Sequence, residues 1–309
     1  MQTRPLGKTG LDVSVLGYGA SPLGGVFGEV DAAEGIRAVH TAVDLGFNLF
    51  DAAPFYGLTR AETALGNALS GIPRDRYILA TKVGRYGGAD FDFSAARVLR
   101  SIDESLRRLQ VQTIDIITCH DIEFVSIDQV IGEAIPALHK ARNQGKVRFL
   151  SVSGLPLKVY HTVLDRVPLD TILSYCHHTL NDNSLADHLS YFKQRGVGII
   201  NASPFAMGLL TGHDLPEWHP AGEAIRAACR RAAEHCRSRG TEIAKLGLQY
   251  AVSNPAIATT LTGMRSQQEV EQNAAWLQES PDHELLAEVL AILVPVHNQT
   301  WPSGRPENN

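Results

Sequence analysis

Short apolar runs alternate with longer stretches of helical period along most of the chain. The runs at 15–19, 47–52, 77–83, 113–120, 147–153, 170–176, 197–202 and 258–263 predict eight strands. Most are continuous rather than alternating, as expected of parallel strands buried on both faces. Between them, 32–45, 95–109 and 130–144 repeat apolar residues at three- and four-residue steps and predict helices. Asp31 and Ser94 stand at N-cap positions, where a side-chain oxygen accepts from a free backbone N–H. Gly145 stands where the third helix would close in the left-handed region.

Eight strands, each followed by a helix, predict an α/β fold of the closed (β/α)8 TIM-barrel type, in which no sheet edge is left over. A doubly wound open sheet is the alternative. It is disfavoured because Gly17, Gly19, Gly24, Gly25 and Gly28 do not have the G-x-G-x-x-G spacing, and Pro22 lies among them. Ahead of the first strand, Arg4 to Val13 holds Gly-Lys-Thr-Gly between short apolar stretches and predicts a β-hairpin plugging the N-terminal mouth of the barrel. Residues 282–296 predict an extra C-terminal helix, followed by a polar tail from Asn298. No linker interrupts the pattern, so one domain over 1–309 is expected.

With 309 residues, 44% of them hydrophobic, the chain can build one large core. A net charge of -5 with no basic run argues against an electrostatic nucleic-acid binder. The opening MQTRPLGKTG has no apolar core of a signal peptide. The longest apolar stretch, 285–296, contains Glu288 and is too short to cross a bilayer. A cytoplasmic location without membrane partners is expected, and oligomeric state is not legible. Cys119, Cys176, Cys229 and Cys236 lie far apart with no C-x-x-C pair, which predicts buried free thiols.

In a barrel, polar residues at the carboxyl ends of the strands converge on one mouth. Those ends supply Asp51, Lys82 and His120, with Tyr56 five residues past Asp51. His120 shares side-chain parity with Ile114, Ile116 and Thr118, and Lys82 with Ala80, so both are expected to face inward. A tyrosine with a pKa near about 10 carries protons poorly at neutral pH, but a neighbouring ammonium favours its phenolate. Tyr56 is therefore expected to exchange a proton with an alcohol or carbonyl oxygen, with a pKa lowered by Lys82. Asp51 would hold Lys82, and His120 would orient the substrate oxygen. Such a group suits hydride transfer to a nicotinamide. Taken singly, each of the four is more often an ion pair or packing; it is their succession that favours catalysis.

A metal site is disfavoured. In Cys119-His120-Asp121 and Cys176-His177-His178, adjacent residues face opposite sides and cannot meet at one ion. The segments Ser203-Pro-Phe-Ala-Met-Gly-Leu-Leu210 and Gly263-Met-Arg-Ser266 place small and hydroxyl residues at βα turns, and either is a phosphate-binding turn or an ordinary one.

Gly46-Phe-Asn-Leu-Phe-Asp-Ala-Ala-Pro-Phe-Tyr-Gly57 followed by Glu62-Thr-Ala-Leu-Gly66 resembles the aldo-keto reductase signature. Together with Ala80-Thr-Lys-Val83, His120, Ser151-Val-Ser-Gly154 and Gly263-Met-Arg-Ser266, the resemblance runs from about residue 4 to 277. Within the family, Cys119-His-Asp-Ile-Glu-Phe124, Ile172-Leu-Ser-Tyr-Cys-His177 and Pro216-Glu-Trp-His-Pro220 are similar to a branch that oxidises L-galactose. The resemblance implies NAD-dependent oxidation of an aldose at C1 to its aldonolactone, with Tyr56, Lys82, Asp51 and His120 as the catalytic group.

It further implies that Ser153 meets the nicotinamide carboxamide, although Gly154 replaces the family's usual Asn, and that Tyr175 lies near the nicotinamide. Ser203, Leu209, Gly263, Arg265, Ser266, Glu269 and Asn273 fall on the pyrophosphate and adenosine side. Glu269 stands where members preferring NADP tend to carry Arg; its charge would repel a 2′-phosphate, so NAD is expected, while Arg265 keeps NADP open. Phe124, His177, Trp218 and His219 are candidates for the sugar pocket. The alternatives are a dehydrogenase of L-fucose, D-arabinose or pyridoxal, an NADPH-dependent aldehyde or ketone reductase, and a nucleotide-binding regulatory subunit.

Overall fold

The computed structural model describes residues 1–26 and 28–309. Two short strands, β1 (Thr3–Pro5) and β2 (Asp12–Ser14), pair antiparallel. Eight more follow: β3 (Leu16–Gly19), β4 (Leu49–Asp51), β5 (Ile78–Val83), β6 (Ile114–Cys119), β7 (Val147–Gly154), β8 (Thr171–Tyr175), β9 (Gly198–Ala202) and β10 (Thr259–Gly263). These pair parallel in chain order, and β10 returns to β3 with Thr260 opposite Leu16, closing the barrel. The open-sheet alternative is thereby overturned.

Alternation along each strand sorts the core into two parts. Ile117 and Cys119 pack outward against the helices, whereas Ile116 joins Leu49, Ala80, Leu173, Ile200 and Leu261 inside the barrel. Leu6 and Val13 of the hairpin, both fully buried, complete this inner cluster from below. Gly7 is needed there: its φ is +55°, and a Cβ would lie 2.3 Å from the Gly198 nitrogen. The hairpin therefore floors the barrel, and the site is built at the opposite end.

The caps fall as the pattern predicts. Asp31 accepts from the Glu34 amide at 3.0 Å and Ser94 from the Arg97 amide at 3.4 Å. Gly145 (φ +74°) closes the helix Ile135–Asn143. That helix begins earlier than the pattern suggests, because Ile127–Gln129 and a π-turn at Val130–Ala134 lead into it. Pro136 has no N–H to give Gly132, and Ile135 donates five residues back, to Val130, so the turn widens instead of breaking. All four cysteines are buried free thiols.

Two helices, Glu223–Ser238 and Ile243–Ala251, separate β9 from β10. The first is an addition to the βα alternation, and it packs against the C-terminal helix His283–Leu293, where Glu288 meets His235 at 2.7 Å and Arg239 at 2.6 Å. The polar tail is folded onto the barrel. Asn298 donates to the Asn181 carbonyl at 2.9 Å, Trp301 packs edge-on to His219, and Asn308 donates to the Glu123 carbonyl at 2.8 Å. Among the described residues no helix is long and apolar enough to cross a membrane.

Candidate functional site

The strand ends bring Asp51 (β4), Lys82 (β5) and His120 (just past β6) to one mouth, all buried. Tyr56 comes from the loop between β4 and the helix Arg60–Leu69, a tight turn in which its amide donates to the Ala53 carbonyl at 3.1 Å. Gly57, with φ +60°, lets this loop lie against the segment after β3: a Cβ there would be 2.0 Å from the Gly24 carbonyl oxygen. That close approach sets the course of the loop that carries Tyr56. Behind the site, the buried Glu62 carboxylate ties β5 to its flanking helices, accepting from the Thr81 hydroxyl at 2.6 Å and from Arg108 at 2.7 Å.

The Lys82 ammonium is ion-paired to Asp51 Oδ1, donates to the Ala52 carbonyl at 2.9 Å and lies 4.8 Å from the centre of the Tyr56 ring. The His120 ring stands edge-on to Tyr56, with centroids 5.6 Å apart and planes at 89°. Burial disfavours the charged Lys82, but Asp51 and Tyr56 outweigh it and hold the ammonium above its ordinary pKa. Burial, with Lys82 and Arg85 nearby, pushes His120 well below the usual histidine range. Its imidazole is therefore neutral at physiological pH, a hydrogen-bond donor rather than a second cation.

For Tyr56 the sequence expectation is corrected. Lys82 does pull its pKa down, but burial raises it more, and Asp51 and Asp121 add to the rise. The net direction is upward, because desolvation by the surrounding protein outweighs the ammonium, and sequence spacing carries no measure of that desolvation.

A cavity of about 680 Å³ opens beside this group, within the size range of small-molecule and cofactor sites. It runs from Asp51 and Tyr56 past Ser203 to Gly263, Arg265 and Glu269, with Trp218 on its wall. The far end meets the N-terminus of the helix Gln267–Trp276, whose cap is Ser266, accepting from the Glu269 amide at 3.2 Å. A proton-carrying group at one end, and a helix N-terminus with an arginine at the other, fit an elongated anionic nucleotide. Arg265 and Glu269 are paired there: the guanidinium donates to Oε1 at 3.0 Å and the Arg265 amide to Oε2 at 2.8 Å.

The other predicted residues divide. Ser153 Oγ accepts from the Asp121 amide at 3.1 Å, and the Tyr175 hydroxyl lies 3.4 Å from Glu123 Oε1. Leu209 and Asn273 are buried outside the cavity wall. His177 and His219 do not reach the cavity. His177 spans Asp182 (3.0 Å) and the Leu155 carbonyl (2.7 Å), and His219 spans the Ala206 carbonyl (3.0 Å) and the Ala221 amide (3.1 Å). Both rings build loops, which a histidine in a turn does whenever backbone groups need partners. Phe124 stacks on Phe91 at 4.8 Å, beside Arg85. Sequence reasoning passed over Arg85, three residues beyond Lys82 in a strand-end loop, and set Asp121 aside with the metal triplet. The structure pairs the two next to His120.

Comparison with known proteins gives the family. The Aldo/keto reductase family model matches residues 15–293. The L-galactose dehydrogenase of Arabidopsis thaliana is 52% identical over 100% of this chain and 99% of its own. The D-arabinose 1-dehydrogenase of Saccharomyces cerevisiae is 30% identical over 84% of each. Among solved structures, an aldo-keto reductase of Bacillus halodurans in its holo form superposes with a TM-score of 0.80, at 27% identity and 98% coverage of both chains. With the family model spanning nine-tenths of the chain and the strand-end residues gathered at the barrel's mouth, this chain belongs to the aldo/keto reductase family of NAD(P)(H)-using oxidoreductases.

Proposed function

We propose that the chain oxidises an aldose at C1 to its aldonolactone, with L-galactose as the sugar and NAD as acceptor. The chemistry rests on one observation: the Lys82 ammonium lies 4.8 Å from the centre of the Tyr56 ring, and Tyr56 lines the cavity. The choice of sugar rests on the full-length similarity to the plant L-galactose dehydrogenase.

A nicotinamide, when bound, accepts the hydride. The protein's own residues manage the proton and the oxygen. Neutral His120 donates a hydrogen bond to the C1 hydroxyl oxygen and fixes its position. Tyr56 takes the hydroxyl proton. Lys82 stabilises the phenolate that does so, and Asp51 keeps Lys82 charged and aimed. At the far end, the Arg265–Glu269 pair carries no net charge of its own and leaves no cation spare for a 2′-phosphate, which favours NAD.

Purified protein supplied with NAD and, in parallel, L-galactose, L-fucose, D-arabinose and D-galactose tests the reading. NADH formation fastest on L-galactose supports it. Turnover of another of these sugars keeps the reaction and replaces the substrate, while reduction of aldehydes by NADPH with no sugar oxidised would overturn it. Glu269→Arg removes the carboxylate and adds a cation, so kcat/KM with NADP should rise about tenfold or more relative to NAD. An unchanged ratio would mean that the adenosine end lies elsewhere.

A further inference from the structure

One buried charged pair at the reacting end has no task in that scheme. Arg85 and Asp121 are ion-paired, with side chains only 18% and 6% exposed. Both are held rigidly. The Arg85 guanidinium lies 3.8 Å over Phe55, with Phe91 at 5.2 Å and Phe124 at 5.4 Å. Asp121 has φ +53°, a conformation that L residues seldom adopt, and Ser153 Oγ holds its amide. Burying two charges and straining the backbone is costly, and stability alone is a weak reason to keep such a pair.

Its position suggests the reason. Asp121 Oδ2 lies 3.6 Å from His120 Nε2, too far for a hydrogen bond, so the carboxylate stands beside the imidazole without consuming it. Arg85 Nε is buried with no partner among the described residues. A substrate oxygen held by His120 would carry its vicinal hydroxyl toward this carboxylate and guanidinium.

Building on the reading of the site as an aldose dehydrogenase, we propose that Asp121 and Arg85 recognise the hydroxyl next to the reacting carbon. Asp121 accepts that hydroxyl's hydrogen bond, Arg85 donates to its oxygen, and the pair thereby selects polyhydroxylated substrates. A site built to hydrogen-bond a hydroxyl discriminates strongly against the analogue lacking it, because its own polar groups are then left unpaired.

For an aldose reacting at C1 the hydroxyl in question is that on C2. The test compares kcat/KM for an oxidised aldose with that for its 2-deoxy counterpart, in the parent and in Asp121→Asn. The parent should prefer the full aldose by about 100-fold, and Asp121→Asn should bring the ratio down to within a few-fold of one. A purely structural role would depress both substrates together and leave the ratio where it was, which would overturn the proposal. So would a parent that turns over both sugars equally well. If Asp121→Asn does not fold, Arg85→Lys keeps the charge but loses the planar fork, and the same ratio should fall. A parent that oxidises no aldose at all would instead bring down the dehydrogenase reading itself.

Discussion

Replacing Tyr56 with Phe should lower kcat for aldose oxidation by about 10³-fold while leaving nucleotide affinity close to that of the parent protein. The substitution removes only the hydroxyl. The ring keeps its edge-on contact with His120 and its packing on Phe55, at centroid distances of 5.6 and 6.1 Å, so the cavity wall stays in place. What is lost is the group that takes the proton, and a positioned general base contributes typically about 10²–10⁴-fold. Initial rates of NADH formation give the first quantity and nucleotide titration by fluorescence quenching the second. Retained turnover would remove Tyr56 from the chemistry.

Lys82→Met should act on stability and on activity at once. Its ammonium is the cation paired with Asp51, whose carboxylate burial already pushes upward and only Lys82 pulls down. Removing one partner of a buried pair strands the other, at a cost of about 3–5 kcal/mol, readable in urea unfolding. The activity effect has a definite sign in pH. Tyr56 works as a base only when deprotonated, and burial holds its pKa above the ordinary tyrosine value. Oxidation by the parent should therefore quicken as pH rises from neutral into the alkaline range, by up to about tenfold per unit. Without Lys82 the phenol loses its downward pull, so the rise moves to higher pH and the rate at neutral pH drops by about 10²-fold or more. Carbonyl reduction uses the protonated phenol and should stay level over the same range. A variant as stable as the parent, with an unshifted profile, would mean that Lys82 neither pairs with Asp51 nor tunes Tyr56.

Much of this site was legible in the chain because strand parity and strand ends are local properties. Ile116, Thr118 and His120 share a face by alternation alone, and Asp51, Lys82 and His120 fall at successive strand ends, so a barrel must gather them. The caps at Asp31 and Ser94 are local in the same way. What was not legible depended on contacts between distant segments. The upward shift of Tyr56 comes from burial by the assembled barrel mouth, with Asp51 and Asp121 adding to it. Arg85 and Asp121, 36 residues apart, become partners only through the pairing of β5 with β6. His177 and His219 read as pocket residues, but loop groups hold both nitrogens of each ring: the Asp182 carboxylate and Leu155 carbonyl for His177, the Ala206 carbonyl and Ala221 amide for His219. The tail reads only as polar, with nothing local to choose between a free and a docked state, yet its serine, asparagine and tryptophan side chains find buried partners on the Glu123 and His219 loops.

The central claim is that a hydride leaves C1 of an aldose while Tyr56 removes the hydroxyl proton. The most direct measurement uses L-galactose deuterated at C1, incubated with NAD and followed by NMR of the reduced nucleotide. The account predicts deuterium on the nicotinamide ring, one per lactone formed, with none lost to water. Deuterium retained in the sugar product, or released to solvent, would contradict it.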